Sequence, residues 1–308
     1  MNVHSFPLGE RIIGLALIEQ KLYVLRARSY EEIDVYSTAD HHLLRRINIS
    51  DLHRDSSVTW PINTSQYLDL ASCPVEKCLY LTSSASFVGL QRIDLIGNMT
   101  QSNISDFRAY GISVERNCNL LLSGYRSLGP VTYDVQGYRQ EKKSHVIVEW
   151  DWKASKIIRE IRLALECDYF LCLPVHLSNY DAVVSTVYNC IYGHRVGLVD
   201  RKGDTGDCEL SFYRLYGHDR GSSVGQLNMP CHMTVDQDTG SIFVADSLNG
   251  RVVLLGRSLV FLRNISDGIN GHKVKRVCFD SATRRLYVGI VTEEGGVLKV
   301  LSFRSPCT

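Results

Sequence analysis

A short strand-like run that returns six times constrains this chain more than any other feature. The runs are LYVL at Leu22, LYLT at Leu79, LLLS at Leu120, AVVS at Ala182, IFVA at Ile242 and LYVG at Leu286. Their starts lie 57, 41, 62, 60 and 44 residues apart. Each follows another apolar run and precedes a third strand of the type I-x-V and a more polar fourth. Gly, Asn and Asp turns separate them. Four short strands recurring every ~40–60 residues are the pattern of propeller blades. Helical periodicity is nearly absent. One stretch, Trp152 to Leu165, has apolar residues near helical spacing, but with the VIVEW before it two strands are the better reading.

The chain ends add a second constraint. The last unit stops at GGVLKVLSF, its third strand, and MNVHSF at the start belongs to no hairpin. Tyr287 to the C-terminus is 21 residues and Met1 to Tyr23 is 23, together one repeat of 44. Residues 2–6 are therefore expected to supply the outer strand of the last blade, which removes the open edge of a linear array. The expected fold is all-β: a six-bladed β-propeller of four-stranded antiparallel blades, closed by the N-terminal strand. The chain is read as one domain with blades at about 8–52, 60–106, 107–164, 165–219, 220–268, and 269–308 with 1–7. In the third unit, SLGPVTYDVQGYRQEKKS (127–144) is too long for a hairpin turn and is either a binding loop or disordered.

Composition narrows the function classes. A hydrophobic fraction of 44% is enough for a large core, and a net charge of +1 with interspersed signs gives no global steering towards nucleic acid. From Gly250 to Thr308 ten Lys/Arg face four Asp/Glu, either a solvated face or a local anionic contact. No apolar run is long enough to span a membrane, and MNVHSFPLGERIIG lacks the pattern of a signal peptide. The ten cysteines form no C-x-x-C pair. A reducing, cytoplasmic location is expected, with reduced cysteines packing as small hydrophobes. Five N-x-S/T sequons, at Asn48, Asn63, Asn98, Asn103 and Asn264, point the other way, towards secretion.

The fifth unit reads GSSVGQLNMPCHMTVDQDTGSIFVADSLNGRVVLLGRSLVFLRNI. It resembles the NHL repeat in Gly225, Pro230, Val235-Asp236, Ile242 to Asp246 and Asn249-Gly250-Arg251. The sixth unit (VKRVCFDSATRRLYVGIV) resembles it less closely, with no Asn-x-Arg. The second resembles a variant blade of NHL-type propellers, and the others match in pattern only. The resemblance implies a propeller like the C-terminal domain of TRIM-NHL proteins. The sequence shows no RING, B-box or coiled coil, so ligase activity does not come with the resemblance.

Several motifs suggest catalysis and have plainer readings. Gly221-Ser222-Ser223-Val224-Gly225 fits G-x-S-x-G but lacks the strand before and helix after that a nucleophile elbow needs. Asp204-Thr205-Gly206 and Asp238-Thr239-Gly240 repeat D-T-G, but 34 residues apart and as turns. Asp236, Asp238 and Gly240 fall short of a calcium loop. His176 in LPVHLS reads as a buried histidine rather than a metal ligand. The innermost strands IIGLALI, YLDLASC, YGISVER, LCLPVHL, CHMTVD and VKRVCFD offer few acids. No catalytic residue, metal or cofactor is expected, and a propeller hydrolase or lyase is the least favoured reading.

Surface residues remain. Loops from strand two to three, and from strand four to the next strand one, share a face. That face is expected to carry Arg26, Arg28, Tyr30, Tyr125, Arg126, Tyr133, Tyr138, Tyr188, Tyr192, His194, Arg251, Lys273, Lys275 and Arg276. Tyr and Arg make protein hot spots and also stack on single-stranded nucleic acid. The sequence thus favours a monomeric, non-enzymatic protein-binding platform, and the resemblance implies the substrate-recognition part of a ubiquitin-ligase-type assembly. The alternative is single-stranded RNA binding through Lys273, Lys275 and Arg276.

Overall fold

Runs of Val, Ile, Leu and Tyr bounded by Gly, Asn and Asp fold into strands throughout the computed structural model. It describes residues 2–26, 32–49, 67–83, 89–129, 132–133, 139–140, 143–163, 170–177, 182–189, 193–200, 209–210, 214–269 and 271–303. Unit one is the antiparallel sheet Ile12–Ile18, Lys21–Arg26, Glu32–Ser37 and Leu43–Asn48. Unit two is Tyr67–Cys73, Cys78–Ser83, Leu90–Asp94 and Met99–Ser102. Unit four is Phe170–Leu177, Ala182–Asn189, Gly193–Asp200 and Arg214–Tyr216. Unit five is Pro230–Asp236, Ser241–Asp246, Arg251–Leu255 and Phe261–Ile265. Unit six is Lys273–Asp280, Arg285–Thr292 and Gly295–Ser302, completed by Asn2–Pro7. The molecule is an all-β propeller with four-stranded antiparallel blades. Among the described residues the one helical element is the 3-10 turn Ser247–Asn249.

The expectation of six such blades is corrected to five. The third unit builds a five-stranded sheet from Phe107–Val114, Leu120–Ser127, Lys143–Asp151, Lys156–Leu163 and Glu209–Leu210. The fifth strand pairs in parallel with Arg162 and Leu163 and comes from the stretch assigned to the fourth unit. The physical reason is the edge. Lys156–Leu163 is eight residues long, and an open edge strand presents unpaired N–H and C=O groups that another segment satisfies. Within the long loop 127–144, Thr132–Tyr133 pairs with Arg139–Gln140 as a small ribbon.

The core lies between neighbouring sheets. Tyr23, Leu25 and Ile33 of unit one pack on Leu79, Leu81 and Ile93 of unit two. Phe243 and Ala245 of unit five pack on Val277, Phe279 and Val288 of unit six. Close approach needs small residues at the inner strands. A Cβ on Gly14 would lie 2.4 Å from Leu70 Cβ, so only glycine lets units one and two meet there. Innermost strands touch in the sequence one to six and back to one.

The chain ends close the ring. Asn2 pairs with Ser302 and the register runs to Pro7 opposite Val297. Leu8 N–H extends the ladder to Gly296 O at 2.9 Å, and Phe6 packs on the core shared by units one and six. Removing residues 1–7 takes away this strand and leaves Gly295–Ser302 as a bare edge. The melting temperature should drop by about 5 °C or more. A thermal unfolding curve that superimposes on the wild type would refute this closure.

Candidate functional site

Most of the expected surface residues that can be located are spent on holding the fold. Arg26 Nε lies 3.0 Å from Asp34 Oδ2, with its side chain 15% exposed. Arg126 donates to Glu160 Oε2 at 2.8 and 2.6 Å and to Ser105 O at 2.6 Å. Tyr125 is buried, with the Lys143 ammonium 4.6 Å above its ring. His194 is buried and accepts from the Met229 N–H at 2.6 Å, joining units four and five. Arg251 donates to Asp246 Oδ2 at 2.7 Å and to Gln226 O at 2.9 Å. Arg276 reaches inwards to Ile13 O at 2.6 Å. Lys275 is half-buried and Lys273 is exposed. Arg28, Tyr30, Tyr138 and Tyr192 lie outside the described residues. Tyr133 and Tyr188 fall in the strands Thr132–Tyr133 and Ala182–Asn189, and His176 in Phe170–Leu177. The structure therefore does not assemble a free Tyr/Arg face from the residues it describes.

The NHL-like unit shows why its polar residues are where they are. In ADSLNGR, Gly250 takes φ 58°, the left-handed conformation that ends the 3-10 turn. This lets Asn249 and Arg251 converge on Asp246 Oδ2, each at 2.7 Å, while Asn228 N–H donates to its other oxygen at 2.6 Å. Burial nonetheless pushes the Asp246 carboxyl up, against these donors. In VDQDTG, Asp236 accepts from Thr239 at 2.8 Å, and from Ser281 at 3.0 Å and Arg284 at 2.6 Å in unit six. Burial raises the Asp236 carboxyl, but the donors outweigh it and hold it below the usual carboxylate range. The second D-T-G triplet is thus a turn, and the Asp236 that it caps clasps units five and six.

A different set of residues meets on the propeller axis. Asp69 of unit two, His232 of unit five and Arg276 of unit six all come from innermost strands. Asp69 is 1% exposed. Its Oδ2 accepts from the Ile112 N–H at 3.1 Å, and its Oδ1 lies 3.5 Å from His232 Nε2 and 3.8 Å from Arg276 Nε. The Val277 N–H donates to His232 Nδ1 at 3.3 Å, which assigns the ring proton to Nε2. Burial pushes the His232 imidazole below its usual range, partly offset by Asp69. The cluster ties units one, two, three, five and six together across the axis. Sequence reasoning passed over it, although an acid inside the apolar strand YLDLASC was the available signal.

Above this layer lies a cavity of about 150 Å³. His232 forms its base, and Leu15, Leu70, Ile112, Met233 and Val277 its waist. Ser72, Ser113, Thr234 and Gln237 stand towards the turns between strands one and two. His232 Nδ1 accepts from the Val277 N–H and Nε2 lies 3.5 Å from Asp69 Oδ1, and burial pushes the lining Cys278 thiol up to about 12. The Cys278 thiol is therefore held protonated. Among the described residues no group of three His, Cys, Asp or Glu side chains is placed to hold a metal ion.

The comparisons with known proteins identify a shape only. No family model matches the sequence, and no curated protein matches it. The structure is similar to Kuenenia stuttgartiensis hydrazine synthase, with a TM-score of 0.60 and 11% identity over 96% of this chain and 84% of that one. Because 919 solved chains share the shape, it selects a fold and no activity.

Two predictions follow from the buried groups. Asp69→Ala leaves the Arg276 guanidinium without its counter-charge and the Ile112 N–H without its acceptor, and should destabilise by about 3 kcal/mol. Asp69→Asn, which keeps an acceptor for Ile112, should cost less. Urea unfolding of the two variants checks the order, and equal effects would remove the axial role. His41, His194 and His232 are all held below the usual imidazole range, chiefly by burial. The unfolded chain therefore binds more protons, so stability is full above about pH 6.5 and declines as pH falls below it. Denaturant midpoints at about pH 7.5 and about pH 5.5 test the sign, and His232→Gln should flatten part of the slope.

Proposed function

We propose that this chain is a non-enzymatic protein-binding platform, a six-bladed NHL-type propeller in which the five-stranded sheet serves as the remaining blade. Contact around the innermost strands from unit one to unit six and back supports the count. The Asp246–Asn249–Arg251 network supports the NHL reading of unit five. TRIM-NHL likeness favours the substrate-recognition end of a ubiquitin-ligase-type assembly.

The observation that carries the platform reading is the distribution of exposed apolar side chains. Val75 and Ile96 of unit two are 72% and 79% exposed, in the turns after strands one and three. Leu43 and Leu44 of unit one and Ile157 and Ile158 of unit three lie near the starts of the fourth strands, by the turns after strand three, and are also exposed. Turns on this face are laced by the ion pairs Glu19–Lys77 at 2.6 Å and Glu76–Lys153 at 2.8 Å, which hold units one, two and three in register. A fixed surface studded with exposed apolar groups is what a partner buries. It lies opposite the face expected from the Tyr and Arg residues. Of the basic cluster proposed for RNA, Arg276 is turned inwards, and RNA binding is the weaker reading.

The test is a crosslinked pull-down with wild type and two double variants. Val75→Glu with Ile96→Glu should lower capture of a specific partner ~10-fold or more. Leu128→Glu with Leu248→Glu, on the opposite face, should leave it unchanged. Loss of capture only with the second pair would overturn the choice of face, and no partner with any chain would overturn the platform reading.

A further inference from the structure

The ring closes at the seam between units six and one, and a histidine is wedged into that seam. His41 lies in the turn 38–42 of unit one, between Glu32–Ser37 and Leu43–Asn48. It takes φ 61°, the left-handed conformation that side chains other than glycine rarely adopt. The turn is held there from several sides. His41 N–H donates to Ser37 O at 3.0 Å, and Ser37 N–H donates to His42 O at 3.0 Å. Thr38 Oγ1 donates to Gln20 O at 2.9 Å, and Arg285 of unit six donates to Thr38 O.

This backbone directs the imidazole onto unit six. Its ring centroid lies 4.7 Å from that of Phe6, 6.4 Å from His4 and 6.1 Å from Tyr287. His4 and Phe6 are alternate residues of the closing strand Asn2–Pro7, so both lie on the side that meets the turn. Tyr287 belongs to the middle of unit six and is fully buried. The ring thus touches both the strand that closes the propeller and the sheet that receives it.

The seam suits a neutral ring and not a charged one. His41 Nε2 is buried and has no hydrogen-bond partner among the described residues. The charged groups that act on the ring are Arg285 and His4 of unit six and Asp40 of its own turn. Arg285 is fixed on Thr38 O. Asp40 is exposed and already engaged by His42 Nδ1 at 2.6 Å. A proton on His41 would therefore meet the Arg285 guanidinium and a second imidazole, with its one nearby carboxylate already shared. Burial, then Arg285 and His4, hold the His41 imidazole below its usual range.

We propose that His41 is an acid-sensitive latch on the ring closure. When it takes a proton, the turn 38–42 lifts from the closing strand and from Tyr287, and the imidazolium gains the water that the seam denies it. Phe6 then loses its neighbour on the unit-one side, and Asn2–Pro7 loosens on Gly295–Ser302. The lifted form binds protons at the ordinary imidazole pKa of about 6.5 and the closed form below it, so the latch is closed above about pH 6.5 and opens as pH falls. His194 and His232 lie elsewhere, each accepting from a backbone N–H, of Met229 and of Val277. The latch is therefore local to the closure.

Hydrogen–deuterium exchange of the intact chain tests this, read at residues 2–8 and 38–42 and corrected for the intrinsic pH dependence of exchange. Between about pH 7.5 and about pH 5, protection of both segments should fall about 10-fold, while Cys78–Ser83 and Leu90–Asp94 of unit two keep theirs. Two variants remove the titrating ring. His41→Phe keeps its packing, and His41→Asn suits the left-handed backbone. Either one should abolish the local loss, with thermal unfolding at about pH 7.5 confirming the fold. His42→Gln removes the exposed imidazole beside Asp40 and should leave the loss intact. Should neither His41 variant fold, the wild-type pattern decides the question. Full protection of residues 2–8 at the lower pH, or an equal loss in unit two, would overturn the latch. So would a loss that persists in a folded His41 variant or disappears in His42→Gln.

Discussion

The pairing of Asn2–Pro7 with Gly295–Ser302 is the constraint from which the rest of the architecture follows. A linear array of twisted sheets has two free ends, and nothing fixes the distance between its first and last members. Once the N-terminal strand completes the last sheet, units one and six must touch, and their shared core of Ile12, Leu15, Tyr287 and Val300 forms. Every innermost strand is then held against its neighbours around one axis. Closure is also why a charge on one side of the ring finds a partner on the other. Asp69 and His232 are 163 positions apart in the sequence, and their contact needs no loop of its own.

Closure has a cost in polar chemistry, and the chain meets it with clasps between units. Asp236 binds Ser281 and Arg284, His194 binds Met229 N–H, Arg285 reaches Thr38 O, and Arg276 reaches Ile13 O. Each satisfies a group that sheet packing would otherwise bury unpaired. This accounts for the fate of the arginines near strand ends. Arg is the residue best suited to bridge several carbonyls and carboxylates at once. In a ring of sheets that capacity is drawn into the seams before it is offered to a partner.

The strands were legible in the sequence because period-two alternation and turn residues act locally. LYVL, LYLT, LLLS, AVVS, IFVA and LYVG all fall on second strands, from Lys21–Arg26 to Arg285–Thr292. The end-to-end pairing was legible from length, because a ring fixes how many residues the two ends must share. The parallel addition of Glu209–Leu210 to the third unit was not. It is two residues long and depends on where another sheet leaves an open edge. Arg126 shows the same limit for the site. Its sequence neighbourhood, SGYRS, reads as a loop arginine, and the carboxylate of Glu160 that engages it lies 34 residues away.

What the sequence by itself determined is the all-β repeat, the turn chemistry of unit five and the use of the N-terminus as a closing strand. These depend on residues near one another or on total length. What only the tertiary structure decided is which polar groups are free. Asp69, His232 and Arg276 became an axial cluster, and Arg26, Arg126 and Arg251 became seams, because burial and partner distance are set by the closed ring. The axial recess arises the same way. Its walls come from five innermost strands that no local pattern brings together.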